Sequence, residues 1–163
     1  LTKNLKIKKL LGIIKEKKGV IENMKIKETF VSTDNEIKCI LSVDGYNYIG
    51  IAKCCPEDKD MQSEKTGQHI AYQRAFIKCL KHNLFIIKLQ KKEIKDFYNS
   101  VKDGKEFNIN GFVERKLRRE IYELNQEIIY FKALIEGNEK SLKDFISQKD
   151  NFYQKIRTKR DNH

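Results

Sequence analysis

Residues 50–81 read GIAKCCPEDKDMQSEKTGQHIAYQRAFIKCLK, and the fold turns on them. They run from the end of a strand, through an acidic loop with the only proline (Pro56), into a helix. That helix is expected to open at Thr66-Gly67 and to reach about His82, with Thr66 as its cap. Ile70, Phe76, Ile77 and Leu80 recur at helical spacing and form its expected buried face. Ala71 and Ala75 permit close contact with a sheet. Strand, loop and helix follow one another without a catalytic signature, which points to a small binding module rather than an enzyme.

Upstream, residues 20–54 read as a β-meander. Residues 20–31 mix β-branched and polar side chains, and residues 37–43 (IKCILSV) are apolar and bounded by Asp34-Asn35. Asp44-Gly45 is the strongest hairpin signal, because both residues tolerate positive φ. The third strand, residues 46–54, contains Gly50, the mark of a bulge or a close backbone approach. Residues 1–18 hold seven lysines and one glutamate, with Ile7, Leu10, Leu11 and Ile14 at helical spacing. An amphipathic helix over 1–19 is expected, its apolar stripe docked on the sheet.

Downstream, residues 84–89 (LFIIKL) are either a last strand or a continuation into core. Residues 93–102 place Ile94, Phe97, Tyr98 and Val101 on one helical face, before Gly104 and Asn108-Ile109-Asn110-Gly111 break the chain. The C-terminal third carries a heptad seam: Leu117, Ile121, Leu124, Ile128, Phe131 and Ile135, resuming at Leu142, Phe145, Phe152 and Ile156. Lys149 occupies another seam position. Gly137-Asn138 interrupts the run, so either one long helix pairs with a second chain or a hairpin folds there. The phase matches across the break, which favours the long helix and a homodimer. The expected architecture is α+β: a small antiparallel sheet packed on helices, with a long coiled-coil-like C-terminal helix. Its parts are the helix 1–19, a sheet-and-helix module 20–104, and a helical dimerisation region 105–163.

With 163 residues, 35% of them charged, and a mean hydropathy of −0.66, apolar material for a core is limited. The net charge of +11 attracts phosphate-bearing partners. No apolar run approaches a membrane span, and the lysine-studded N-terminus does not read as a secretory signal. Cys39, Cys54, Cys55 and Cys79 lack CxxC spacing, and His69, His82 and His163 are scattered. No metal, cofactor or disulfide framework is expected, and free thiols fit a cytoplasmic location. Glu57, Asp58 and Asp60 cluster in a hydrophilic loop that solvation explains. There is no P-loop or GxGxxG.

The expected ligand site opens the last helix. Arg115, Arg119 and Tyr122 follow i, i+4, i+7, off the heptad seam and with Arg118 beside them. Guanidinium groups one turn apart can clamp phosphates and stack on a base. Phe107, Asn108 and Asn110 just precede them and can stack or read base edges. The competing reading pairs these arginines with Glu114, Glu120 and Glu123 on a solvated face. Arg74, alone in an apolar helix, is a second candidate, with Lys53 on the adjoining strand able to join it.

The segment resembles a module of small phage proteins of Gram-positive bacteria: a Gly-x-Ala-Lys-Cys strand, Pro-Glu-Asp, then Gly-x-x-Ile-Ala-x-x-Arg-Ala. Gly50, Ala52, Lys53, Cys54, Pro56, Glu57, Asp58, Gly67, Ile70, Ala71, Arg74 and Ala75 carry that likeness. The module is similar in topology to a double-stranded-RNA-binding domain, but the basic cluster such domains place at the last helix is absent, and this helix opens TGQHIA. The layout of residues 20–136 also resembles the Thoeris anti-defence sponge proteins of phages. That resemblance implies a non-enzymatic cytoplasmic protein that sequesters an anionic cyclic nucleotide, such as a cyclic ADP-ribose isomer, between two subunits. Arg115 and Arg119 would hold its phosphates, supported by Arg118 and Arg74. Alternatives are a nucleic-acid-binding phage protein, using the lysine-rich N-terminus and the basic tail 155–160, or a protein–protein inhibitor of a host defence enzyme.

Overall fold

A computed structural model describes residues 26–53, 63–103 and 111–162. The amphipathic segment 1–19, the acidic loop with Pro56, and Phe107, Asn108 and Asn110 lie outside the described residues. Three strands, β1 (Ile26–Ser32), β2 (Glu36–Val43) and β3 (Tyr46–Lys53), precede two helices, α1 (Glu64–Asp103) and α2 (Gly111–Asp161). The protein is therefore α+β, with a three-stranded antiparallel sheet in the order β1-β2-β3 and a long C-terminal helix.

The β2–β3 hairpin turns at Asp44 (φ 50°) and Gly45 (φ 85°), the two-residue positive-φ turn that the sequence predicts. It sets a register of Leu41 opposite Tyr48, Cys39 opposite Gly50 and Ile37 opposite Ala52. Side chains alternate along a strand, so Cys39, Leu41, Val43 and Ala52 share one face, and all four are buried. β1 is mostly exposed and carries Lys27 and Glu28.

Contacts divide the chain into two compact units, Leu1–Lys78 with Ile146–His163, and Cys79–Phe145. Both helices contribute to both units. In the sheet-bearing unit, α1 lies on Gly50: a Cβ there would sit 1.9 Å from the Ala71 carbonyl oxygen and 2.5 Å from the Ala75 amide nitrogen. Ala71 and Ala75 are fully buried, so the small residues that the sequence singles out do meet at this contact. Two α1 side chains one turn apart reach the edge strand β3. Arg74 donates to the Ile51 carbonyl (2.5 Å) and Lys78 to the Ile49 carbonyl (2.6 Å).

Two expectations about α1 are corrected. Its cap is Ser63, whose Oγ accepts from the Thr66 amide at 3.4 Å; Thr66 is already in the first turn. Nor does the helix stop near His82: it runs to Asp103, so 84–89 is helix and not strand. No glycine or proline falls between 68 and 103, and buried Leu80 and Ile87 continue the helical period. Phe97, expected on the same face as Ile94 and Tyr98, is exposed.

In the second unit the two helices run antiparallel. Lys81 pairs with Glu139, while near the other end Tyr98 meets Glu114 and Arg118. The seam residues Leu124, Ile128, Phe131 and Ile135 are buried within this single chain. That removes the reason the sequence offers for a dimer through them. In the part of α2 that belongs to the sheet-bearing unit, Phe152 is 58% exposed and Tyr153 8%, so the expected seam position and its neighbour exchange roles. A straight α-helix also slips about 20° per heptad against a strict seven-residue repeat, so the sequence phase is not expected to hold over this length.

α2 passes through Gly137 without a break, and Asn138 donates to the Leu134 carbonyl at 2.7 Å. An added Cβ at Gly137 meets nothing within 4 Å. Gly137→Ala is therefore expected to stabilise the protein by about 1 kcal/mol through helix propensity, raising Tm by about 2–4 °C. A lowered Tm would show that the helix is not continuous there. Among the described residues, no helix is long and apolar enough to cross a membrane.

Candidate ligand-binding cleft

A cavity of about 410 Å³ opens in the sheet-bearing unit, within the size range of small-ligand pockets. Three pieces of chain build it: the β1–β2 turn with the adjoining strand ends, the first turns of α1, and α2 from Ile146 to Tyr153. Its apolar wall is Ile37, Ala52, Ile70, Ile146 and Tyr153. Ala52 and Tyr153 are buried and the isoleucines half-buried. Ser32, Thr33, Ser63 and Thr66 add hydroxyls.

Charge is concentrated on the polar side. Lys53, Arg74 and Lys149 supply cations, and Asp34, Glu36, Glu64 and Asp150 supply carboxylates. Local contacts orient several of them. Glu64 Oε1 accepts from Ser32 Oγ at 3.5 Å and from the Gln68 amide at 3.4 Å. The Thr33 amide and hydroxyl both donate to the Glu36 carbonyl, at 2.9 and 3.2 Å. Arg74 spends one of its five N–H donors on the Ile51 carbonyl, which fixes the guanidinium at the cleft edge.

Such a cleft offers cations for a phosphate, acceptors for hydroxyl or amino donors, and an aliphatic–aromatic wall for a ring. The carboxylates outnumber the cations, so an anionic ligand for this cleft must also bring hydroxyl or amino donors to meet them.

Of the site residues expected from sequence, Arg74 lines this cleft, and Lys53 joins it there. The arginines of α2 lie elsewhere. Arg118 is part of a closed triangle: Arg118 Nε donates to the Tyr98 hydroxyl (3.0 Å), Tyr98 donates to Glu114 (3.0 Å), and Arg118 Nη2 meets Glu114 at 2.8 Å. The guanidinium also lies 5.8 Å from the centre of the Tyr98 ring. The Tyr98 hydroxyl, and after it the Glu114 charge, hold the Arg118 pKa above its ordinary value. Arginine is protonated throughout the folded range in any case, so the shift carries no pH dependence.

Arg119 pairs with Glu123 at 3.2 Å while remaining 80% exposed. Arg115 is exposed, as is Tyr122 at 63%. None of these four residues lines the cleft. Arg118 and Arg119 are thus each in an i, i+4 ion pair, and exposed pairs of this kind add only about 0.3–0.5 kcal/mol each.

Sequence reasoning missed Tyr153, Asp34, Glu36 and the Ser63-Glu64 entry to α1 as cleft residues. One signal lies in the sequence: Lys149 falls on a seam that is apolar on either side of Asn138, and a cation there implies a polar recess beside it. Among the described residues, no group of three or more His, Cys, Asp or Glu could hold a metal ion. No family model matches this chain, and no curated protein or solved structure matches it either.

Proposed function

We propose that this protein is a non-enzymatic binding module that captures a small anionic nucleotide in the cleft of its sheet-bearing unit. The observation that carries this reading is the convergence of Arg74, Lys53 and Lys149 with carboxylates and an apolar wall in one 410 Å³ cavity. Lys53, Arg74 and Lys149 bind the phosphates through charge-assisted bonds. Rim carboxylates accept from sugar hydroxyls or base amines, and the base lies against Ile70, Ile146 and Tyr153. The Thoeris-type resemblance extends the proposal: the ligand is a cyclic ADP-ribose-type immune signal, and its sequestration in the host cytoplasm is a phage anti-defence role.

The test is to purify the protein from cells making such signals, heat-denature it and identify what is released. Intact nucleotide is the expected result. A converted product would make the protein an enzyme, and no bound nucleotide together with no binding by calorimetry would end the proposal. Lys53→Glu should weaken nucleotide binding by about 10-fold or more, since a hydrogen bond to a charged group contributes about 1.5–3 kcal/mol. An Arg115→Ala, Arg119→Ala double variant should bind as the parent does. The opposite pattern would move the site to the start of α2.

A further inference from the structure

The second unit carries a surface that nucleotide capture does not use. Between positions 81 and 95, α1 holds five lysines against one acidic residue, Glu93. Four of them, Lys81, Lys88, Lys92 and Lys95, follow steps of seven, four and three, which keeps them on one face of the helix. Each is exposed, and exposed Phe85 sits in the same row, one turn after Lys81. At 1.5 Å per residue the row extends about 21 Å. Asp96 borders it, and Lys81 is steadied by its ion pair with Glu139.

We propose that this lysine row docks on the phosphate backbone of a nucleic-acid duplex, without reading its sequence. A straight line of ammonium groups suits a straight polyanion and is too extended for a single small nucleotide. Turns of 5.4 Å bring successive cations within reach of successive phosphates. A single strand would call for a series of exposed stacking rings, and this row has only Phe85. An anionic membrane is the poorer fit, because surface helices bind bilayers through an apolar face. Here the apolar face of the same helix, with Leu80 and Ile87, is already buried in the protein, and only the scattered Phe85, Leu89 and Phe97 are exposed among its described large apolar side chains. Charge complementarity with a backbone rich in phosphate is what the row offers, and such binding releases condensed counterions.

Fluorescence anisotropy with a short labelled DNA or RNA duplex of arbitrary sequence tests this on the full chain. Four phosphate contacts predict an affinity loss of about 100-fold between about 50 and 200 mM salt. Lys88→Glu, Lys92→Glu, Lys95→Glu together should weaken binding at least about 10-fold and make the log–log salt slope shallower by about 3. The matched control is Lys132→Glu, Lys140→Glu, Lys143→Glu on exposed positions of α2, which changes net charge equally and should retain most of the affinity. Circular dichroism checks that the helices persist; if the Glu variant is unfolded, the Lys→Gln triple at 88, 92 and 95 takes its place with the same expected direction. Equal losses in row and control variants would reduce the effect to net charge and overturn the proposal. So would binding to phosphatidylserine vesicles without binding to duplex. Lys53→Glu should leave duplex binding unchanged, which separates this surface from the cleft.

Discussion

A Gly50→Ala protein is expected to lose about 3 kcal/mol of folding stability or more, the upper range for one inserted methyl group. The cause is the identity of the atoms it would strike. A Cβ at position 50 lies 1.9 Å from the Ala71 carbonyl oxygen and 2.5 Å from the Ala75 amide nitrogen. Both are backbone atoms inside α1, so no side-chain rotation relieves the clash and the helix itself must retreat. Retreat would also stretch the Arg74–Ile51 and Lys78–Ile49 bonds, which span the same contact. In urea the midpoint should fall by about 1.5 M for an m-value of about 2 kcal/mol/M. An unchanged midpoint would mean that α1 does not lie against β3 at Gly50.

Phe131→Ala is expected to cost about 3–5 kcal/mol, the range for deleting a buried aromatic ring. Phe131 is 1% exposed and sits at the middle of the buried line Leu124, Ile128, Phe131, Ile135. The second unit is made from stretches of two helices, so a cavity there has few neighbours able to collapse into it. Hydrogen exchange should show protection lost first across Cys79–Phe145. A cost below about 1 kcal/mol would contradict the burial of this ring. Concentration dependence provides a second readout. If the parent's unfolding midpoint rises with protein concentration and Phe131→Ala abolishes that rise, the seam is shared between copies after all.

Much of the sheet was legible because its signals are local. Asp44-Gly45 needs only two residues to declare a hairpin, and Gly50 with Ala71 and Ala75 announces a close approach by lack of bulk. The length of α1 was harder to read. LFIIKL at 84–89 is as compatible with a buried strand as with a helix, and the absence of any breaker before Gly104 was the better guide. The heptad seam was read correctly up to Ile135, whereas further on Tyr153 is buried in place of Phe152, and a strict seven-residue phase is not expected to hold over that length of straight helix.

The site shows the same division. A lone Arg74 in an apolar helix signals a polar recess, and Lys53 stands near it on β3. The rest of the cleft joins residues as distant in sequence as Ile37, Ile70 and Tyr153, which no local pattern connects. The Arg115, Arg118 and Arg119 stripe drew attention by spacing alone, while Glu114 and Glu123, each four positions away from a partner, decide what two of those arginines do.

The bonds from Arg74 and Lys78 to β3 bear on how the protein keeps to itself at high concentration. Carbonyls 49 and 51 are the acceptors that an incoming strand from another molecule would need, and they already have partners. Self-templated fibril growth along that border must wait until α1 peels away. Resistance to aggregation there is set by how rarely the helix opens, and a ligand gripping Arg74 would alter that frequency.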